Sequence, residues 1–219
     1  DLHWMVHSFL HDALPIFEQA APLGKIDAGS VTQALLDAKV DAIFNVTFGA
    51  DLQKFVREGN TRGLFKGRPV VSLLSGEPEY LDTLKEETPE GWWVTGYPWD
   101  QVNTPDNKAF REAYVAKYKD TPRLGSVVGY ATVKSIAAML KKSGSTDTAK
   151  MQAAMKNLVV DSPFGKITWR AQDNQSTMGA FVGRTRLQNG VGAMSDFRYL
   201  DGARFQPPAE EVRKLRAAD

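Results

Sequence analysis

Apolar positions change period several times between residues 28 and 122, and each change marks an element. Residues 30–38 place Val31, Leu35 and Ala38 at helical spacing. Residues 40–46, VDAIFNV, form instead a continuous apolar run with β-branched and aromatic members, the pattern of a buried strand. Helical spacing returns over 51–58, with Leu52, Phe55 and Val56 on one face and Gly59 as the expected stop. PVVSLL at 69–74 reads as a second buried strand, and 77–87 as a helix with Pro78 and acidic residues in its first turn. GWWVT at 91–95 is a third strand. Its alternation predicts one tryptophan toward the core and the other toward an opposite helix layer. Thr104 and Pro105 open a further helix whose Phe110, Tyr114 and Tyr118 recur every four residues, with Pro122 as its expected end. Strands alternating with helices at this spacing predict a parallel sheet with helices on both faces.

Residues 129–175 pack more into a shorter stretch. Val127, Ala131, Ser135 with Ile136, and Met139 with Leu140 define a helix, and Gly144 is its expected left-handed cap. Residues 145–148 offer hydroxyl and carboxylate caps for a second helix that would bury Met151, Ala154, Met155 and Leu158. A turn at Pro163, Phe164 and Gly165 leads into a strand over 166–170. Beyond it the pattern shortens to strands separated by turn signals. Gln188, Asn189 and Gly190 predict a hairpin, and 210–216 a short charged helix.

Composition narrows the chemistry. The 219 residues carry 27 Lys and Arg against 26 Asp and Glu, a formal charge of +1 that gives no footprint for nucleic acid. Cysteine is absent, which removes disulfides, thiolate metal sites and cysteine nucleophiles. All three histidines, His3, His7 and His11, lie in the first sixteen residues. Their i, i+4, i+8 spacing would suit zinc on a helix. Codons compatible with residues 1–16 match a common sequencing adapter, so this segment is expected to be a non-native leader and is set aside. From Phe17 onward there is neither His nor Cys, so general acid–base and nucleophilic catalysis lose their commonest side chains. No cofactor or metal is expected. GNTRGLFKG at 59–67 lacks the lysine–hydroxyl pair of a phosphate loop. The carboxylate pair Glu77 and Glu79 sits where a helix start alone explains it.

The loop after the first strand, VTFGAD at 46–51, is the best candidate site. Ligands of open α/β sheets sit beyond the carboxyl ends of the strands. Thr47, Phe48 and Gly49 would supply backbone donors, an apolar face and close approach. Packing of Phe48 as the last core residue of its strand is an equal alternative. Ser75, Gly76 and Glu77 occupy the same place after the second strand. Tyr97 lies past the end of the third, where packing is favoured over binding.

DAIFNVTFGADLQKF, PEGWWVTGYPW, GYATVKSIAAML and SPFGKITW, in that order, resemble successive segments of periplasmic solute-binding proteins of the branched-chain amino-acid type, the receptors of ABC importers. The resemblance runs from Phe17 to the end. It implies the type I periplasmic-binding fold, two α/β lobes joined by three crossings and closing on a ligand. Residues 17–122 would be the second-lobe core, 123–160 helices of the first lobe, and 161–219 the return crossing with short strands and a last helix. The first lobe's sheet would precede Phe17, so the chain is expected to be an N-terminally shortened copy. Without that sheet, Met139, Leu140, Met151 and Met155 are expected to be exposed or repacked. The resemblance further implies a small solute and membrane permease subunits as partners, a monomer, a periplasmic location, and no enzymatic activity. Phe48 matches the family's pocket aromatic. An ungapped match puts Leu74 where the family's ammonium-binding acid stands, and Glu77 takes that place with a shift of three. A ligand-sensing domain of a regulator with the same fold is the alternative, and a doubly wound α/β enzyme a more distant one.

Overall fold

The computed structural model describes residues 17–215. Helix α1, Ala28–Asp37, starts where the Asp27 carboxylate accepts from the Ser30 N–H at 3.1 Å. It packs on α2, Gly49–Thr61, which follows strand β1, Ile43–Asn45. Gly59 does not stop α2. It lies inside the helix because the Phe65 ring takes the space of a side chain, and a Cβ there would meet Phe65 Cζ at 2.2 Å. Strand β2, Val70–Gly76, runs two residues further than its apolar pattern. Helix α3, Pro78–Leu84, gives way to a single 3-10 turn over Lys85–Glu87 before strand β3, Trp93–Gly96.

Helix α4, Pro105–Tyr118, is capped by the Thr104 hydroxyl, which accepts from the Asn107 N–H at 3.1 Å. It ends at a left-handed Lys119, ahead of Pro122. Helix α5, Leu124–Ser143, ends as expected at left-handed Gly144, and α6, Thr148–Met155, begins at the Asp147 cap. Leu158 is not part of α6. Asn157 turns left-handed, and Leu158 opens strand β4, Leu158–Ser162, which pairs antiparallel with β5, Gly165–Trp169. Strands β6, Ala180–Gln188, and β7, Val191–Leu200, meet at Asn189 and Gly190, both left-handed as a tight hairpin requires. Helix α7, Ala209–Leu215, closes the described chain.

The larger sheet has the order β1-β2-β3-β6-β7, parallel across its first three strands and antiparallel beyond. Ile43, Val70 and Val94 belong to the core formed with Leu52, Phe55 and Val56 of α2 and with Leu81 and Leu84 of α3. On the other face, Phe44, Val71, Trp93 and Arg184 stand opposite one another in a single cross-strand row. Phe44, Val71 and Trp93 are exposed. Trp92 faces the core as expected, but Trp93 is exposed, with no helix covering it among the described residues; the Arg184 guanidinium lies 4.2 Å over its ring instead.

A smaller core joins Ala131 of α5 to Leu158, Val160 and Ile167 of the β4–β5 hairpin, with Met139 and Met155 packed against it. Both methionines, like Met151, are half-buried; the exposed large apolar residues of α5 are Val128, Tyr130, Val133, Ile136 and Leu140. Phe164, at the hairpin tip, ties this unit to the main sheet through ring contacts with Tyr97, Phe181 and Tyr199.

Candidate functional site

Because β1, β2 and β3 are parallel, their carboxyl ends share one edge, and three loops leave from it. In the first loop, buried Asn45 organises the turn. Its amide donates to Ser72 Oγ at 2.8 Å, and its carbonyl accepts from the Thr47 hydroxyl at 2.9 Å and the Thr47 N–H at 3.2 Å. Thr47 is therefore turned inward, and Phe48 stands 47% exposed as the N-cap of α2. Gly49 N–H donates to the Tyr80 hydroxyl at 2.9 Å, which ties this loop to α3.

The second loop is buried. Ser75 shares a hydroxyl hydrogen bond with Ser72. A Cβ on Gly76 would lie 2.8 Å from Val94 and Met194, and one on Gly96 would lie 2.1 Å from Gly76 O, so β2 and β3 touch backbone to backbone here. Leu74, just before, adopts φ of 68° and donates its N–H to Thr95 Oγ1 at 3.0 Å. This excursion shifts the β2–β3 register between Ser72 and Gly76.

Glu77 follows. It is 4% exposed, and its Oε2 has no hydrogen-bond partner. Burial, with the Glu79 charge beside it, pushes its carboxyl up to about 8. Arg123, at the start of α5, spends its guanidinium on Asp82 at 3.0 Å and Asp120 at 3.6 Å. Tyr97, past β3, is 1% exposed and donates its hydroxyl to Asn107 Oδ1 at 2.6 Å. Burial raises its phenol above the ordinary value. It supports the edge from behind.

Between this edge and α5 lies a cleft of about 350 Å³. Leu74, Glu77, Thr95 and Gly96 form one wall, Leu124, Val128, Ala131 and Thr132 of α5 another, and Phe164, Ile167 and Trp169 of the hairpin a third. Of the sequence-predicted residues, Glu77 lines this cleft and Ser75 and Gly76 precede it in the buried loop. Thr47, Phe48 and Gly49 occupy the neighbouring loop and Tyr97 the core, and none of these four lines the cleft. The α5 wall is not among the sequence-predicted residues, although Leu124, Val128, Ala131 and Thr132 share one helical face by their spacing. A larger, shallow groove of about 510 Å³ lies between α1 and α2. Its polar groups bond one another, Asp27 with Ser30, Gln33 with Asp37 and Arg62, so it reads as a solvated helix seam.

Among the described residues no cluster of acidic, histidine or cysteine side chains could hold a metal, and no helix is long and apolar enough to cross a membrane. His3, His7 and His11 lie outside the described residues, as does the rest of the segment read as a leader.

Residues 16–190 match the family model for periplasmic binding proteins, and the chain belongs to that family. A Leu/Ile/Val-binding protein homologue from Brucella abortus is 27% identical over 92% of this chain, which covers 50% of that protein. The chain thus spans about half the length of the curated relatives it matches. An amino-acid ABC transporter substrate-binding protein from Pseudomonas fluorescens shares the fold with a TM-score of 0.73, at 19% identity, covering 96% of this chain and 56% of that one. A solute-binding protein of an ABC transporter from Rhodopseudomonas palustris, solved with 4-hydroxybenzoate, superposes with a TM-score of 0.73 at 22% identity, covering 90% and 54%. The fold is thus the type I periplasmic-binding architecture, and the matched proteins are solute-binding proteins rather than enzymes.

Proposed function

We propose that this member of the periplasmic binding protein family captures a small solute for an ABC importer, holding it beyond the carboxyl ends of β1, β2 and β3. The observation that carries the reading is Glu77, a buried carboxylate with an unpartnered oxygen on the wall of an otherwise apolar cleft. The solute is an amino acid or a related small polar, amide or carboxylate compound. Glu77 meets its nitrogen, Ser75 and Gly76 shape the wall behind, and Thr47, Phe48 and Gly49 form the adjoining rim. Tyr97 sets the position of the edge.

On this reading residues 17–122 are the core of one lobe, 123–160 helices of the other, and 161–219 the returning crossing. Relatives are about twice as long, and the reading places the opposite wall of the pocket in the remainder. Capture is closure of one lobe on the other followed by delivery to permease subunits on the outer side of the cytoplasmic membrane. No bond is made or broken.

The test is ligand-observed NMR of the 219-residue chain against α-amino acids, amides and benzoates. Weak, millimolar binding by one class, with perturbed signals at Thr95 and Gly96, is expected. Micromolar binding would contradict the missing wall. Silence from all three classes would sink the solute reading.

A further inference from the structure

The formal charge of +1 hides a segregation. Residues 105–156, which span α4, α5 and α6, carry ten Lys and Arg against four Asp and Glu; the rest of the chain holds 17 and 22 of its 27 basic and 26 acidic residues. The acids of this helical stretch are mostly engaged. Glu112 pairs with Lys108 at 4.0 Å and Asp120 with Arg123 at 3.6 Å. Asp147 accepts from the Lys150 N–H at 3.0 Å as the cap of α6, and Asp106 lies in the first turn of α4. Lys117, Lys119, Lys134, Lys141 and Lys142 pair with no carboxylate among the described residues. From the hairpin, Asp161 feels the Lys134 charge, but its carboxylate is bonded to Lys166 at 2.7 Å.

A ladder of rings joins α4 and α5 along the same surface. Tyr118, Tyr114 and Phe110 of α4 follow one another, and Phe110 meets Tyr130 of α5, with ring centroids 4.7, 5.9 and 4.8 Å apart. Lys117 lies over the Tyr118 ring at one end and Lys134 over the Tyr130 ring at the other. Lys141 follows Lys134 by two helical turns, so Tyr130, Lys134 and Lys141 share one stripe of α5. Tyr118 is 56% exposed and Tyr130 42%, and Val133, Ile136 and Leu140 are exposed beside that stripe.

We propose that this α4–α5 face docks on the headgroup layer of an anionic phospholipid membrane. A tyrosine has an apolar ring and a wet hydroxyl, and a lysine an apolar stem and a charged head, so both suit the boundary between headgroups and acyl chains. The surplus of positive charge complements a negative lipid surface, and it runs along the ladder from end to end, as a plane requires. Lys117, Lys134 and Lys141 meet lipid phosphates, Tyr118 and Tyr130 settle among the headgroups, and Val133 and Ile136 turn toward the acyl boundary. Attachment is peripheral, since no described helix is long and apolar enough to cross a membrane. It depends on neither the cleft nor its solute.

The experiment mixes the 219-residue chain with vesicles of equal parts phosphatidylglycerol and phosphatidylcholine, and with vesicles of phosphatidylcholine alone, and measures bound protein by sedimentation. Binding is expected to the anionic vesicles only, and to be lost in about 1 M salt, where the screening length falls to about 3 Å. Lys117→Gln, Lys134→Gln and Lys141→Gln together should weaken it roughly 100-fold, about 5-fold for each lysine near the surface. Lys25→Gln, Lys54→Gln and Lys66→Gln remove the same charge from exposed positions elsewhere and should change it less than about 3-fold. An unchanged urea midpoint shows that both variants are folded. In bicelles of the anionic mixture, a gadolinium-bearing lipid should broaden the amide signals of the unaltered chain at 114–119 and 130–141 before those of β1 to β3. Equal binding to both kinds of vesicle, equal loss in the two sets of variants, or broadening centred elsewhere overturns the proposal. So does the absence of vesicle binding; capture of polyglutamate in its place would assign the face to an acidic protein.

Discussion

The two faces of strands β1 to β3 carry similar residues and meet different fates. Val70 is 1% exposed and its neighbour Val71 42%; Ile43 is buried and Phe44 bare. One face closes on α2 and α3 into the main core, while the other leaves the row Phe44, Val71 and Trp93 without a covering helix among the described residues. Apolar residues at both parities are the mark of parallel strands covered twice. The difference shows that strands β1 to β3 are packed on one side only among the described residues, and that hydrophobicity in a strand reports what a residue suits rather than what it touches.

The largest effect should come from emptying the covered side. Phe55→Ala removes a buried ring from α2 and is expected to cost about 3–5 kcal/mol in urea unfolding, whereas Val71→Ala on the bare side should stay within about 0.5 kcal/mol. Equal losses would end the distinction between the faces.

Glu77 sharpens it through pH. Its carboxyl is raised on folding from 4.5 to about 8. The unfolded chain therefore loses the proton first. The stability tied to this group is full below about pH 4.5, declines as pH rises, and is gone above about 8. Glu77→Gln should flatten that decline, by on the order of a few kcal/mol at pH 8. Parallel stability curves for the two proteins between pH 5 and pH 8 would contradict the buried, unpaired state.

Phe164→Ala tests whether the α5–hairpin unit depends on the covered side. A loss of about 3 kcal/mol is expected, with hydrogen-exchange protection falling in β4 and β5 more than in β1 and β2. A uniform fall would mean that the two cores open as one. The smallest effect belongs to the bare face. Arg184→Ala removes the cation over Trp93 and should cost about 0.5 kcal/mol, seen best as a change in tryptophan emission. A loss of several kcal/mol there would show that this face is structural after all.

Much of the architecture could be read from local chemistry. Thr104, Asp147 and Gly144 bound their helices as caps should, and the Asn189–Gly190 turn is where the sequence puts it. Misreadings have tertiary causes. Gly59 looks like a helix stop but is a cradle for Phe65, a residue outside the helix. Leu158 continues the helical period of α6, yet Asn157 reverses the chain, and no Gly or Pro announces the turn. Trp93 reads as covered because its strand is apolar on both sides. At the site, Glu77 was legible from its place after a strand. The α5 and hairpin walls were not, because Leu124 and Trp169 reach the cleft from tens of residues away along the chain, through a packing that no local pattern encodes.

The contact between Gly76 and Gly96 bears on how this site can diversify. No side chain fits at either position, since each would strike the opposing backbone or Met194. Substitution is thereby barred at Gly96 in the cleft wall and at Gly76 behind it, and left to Leu74, Thr95 and the α5 face. If the cleft is the solute site proposed above, a change of solute would have to be met by the walls alone, with the contact between the two strands held fixed.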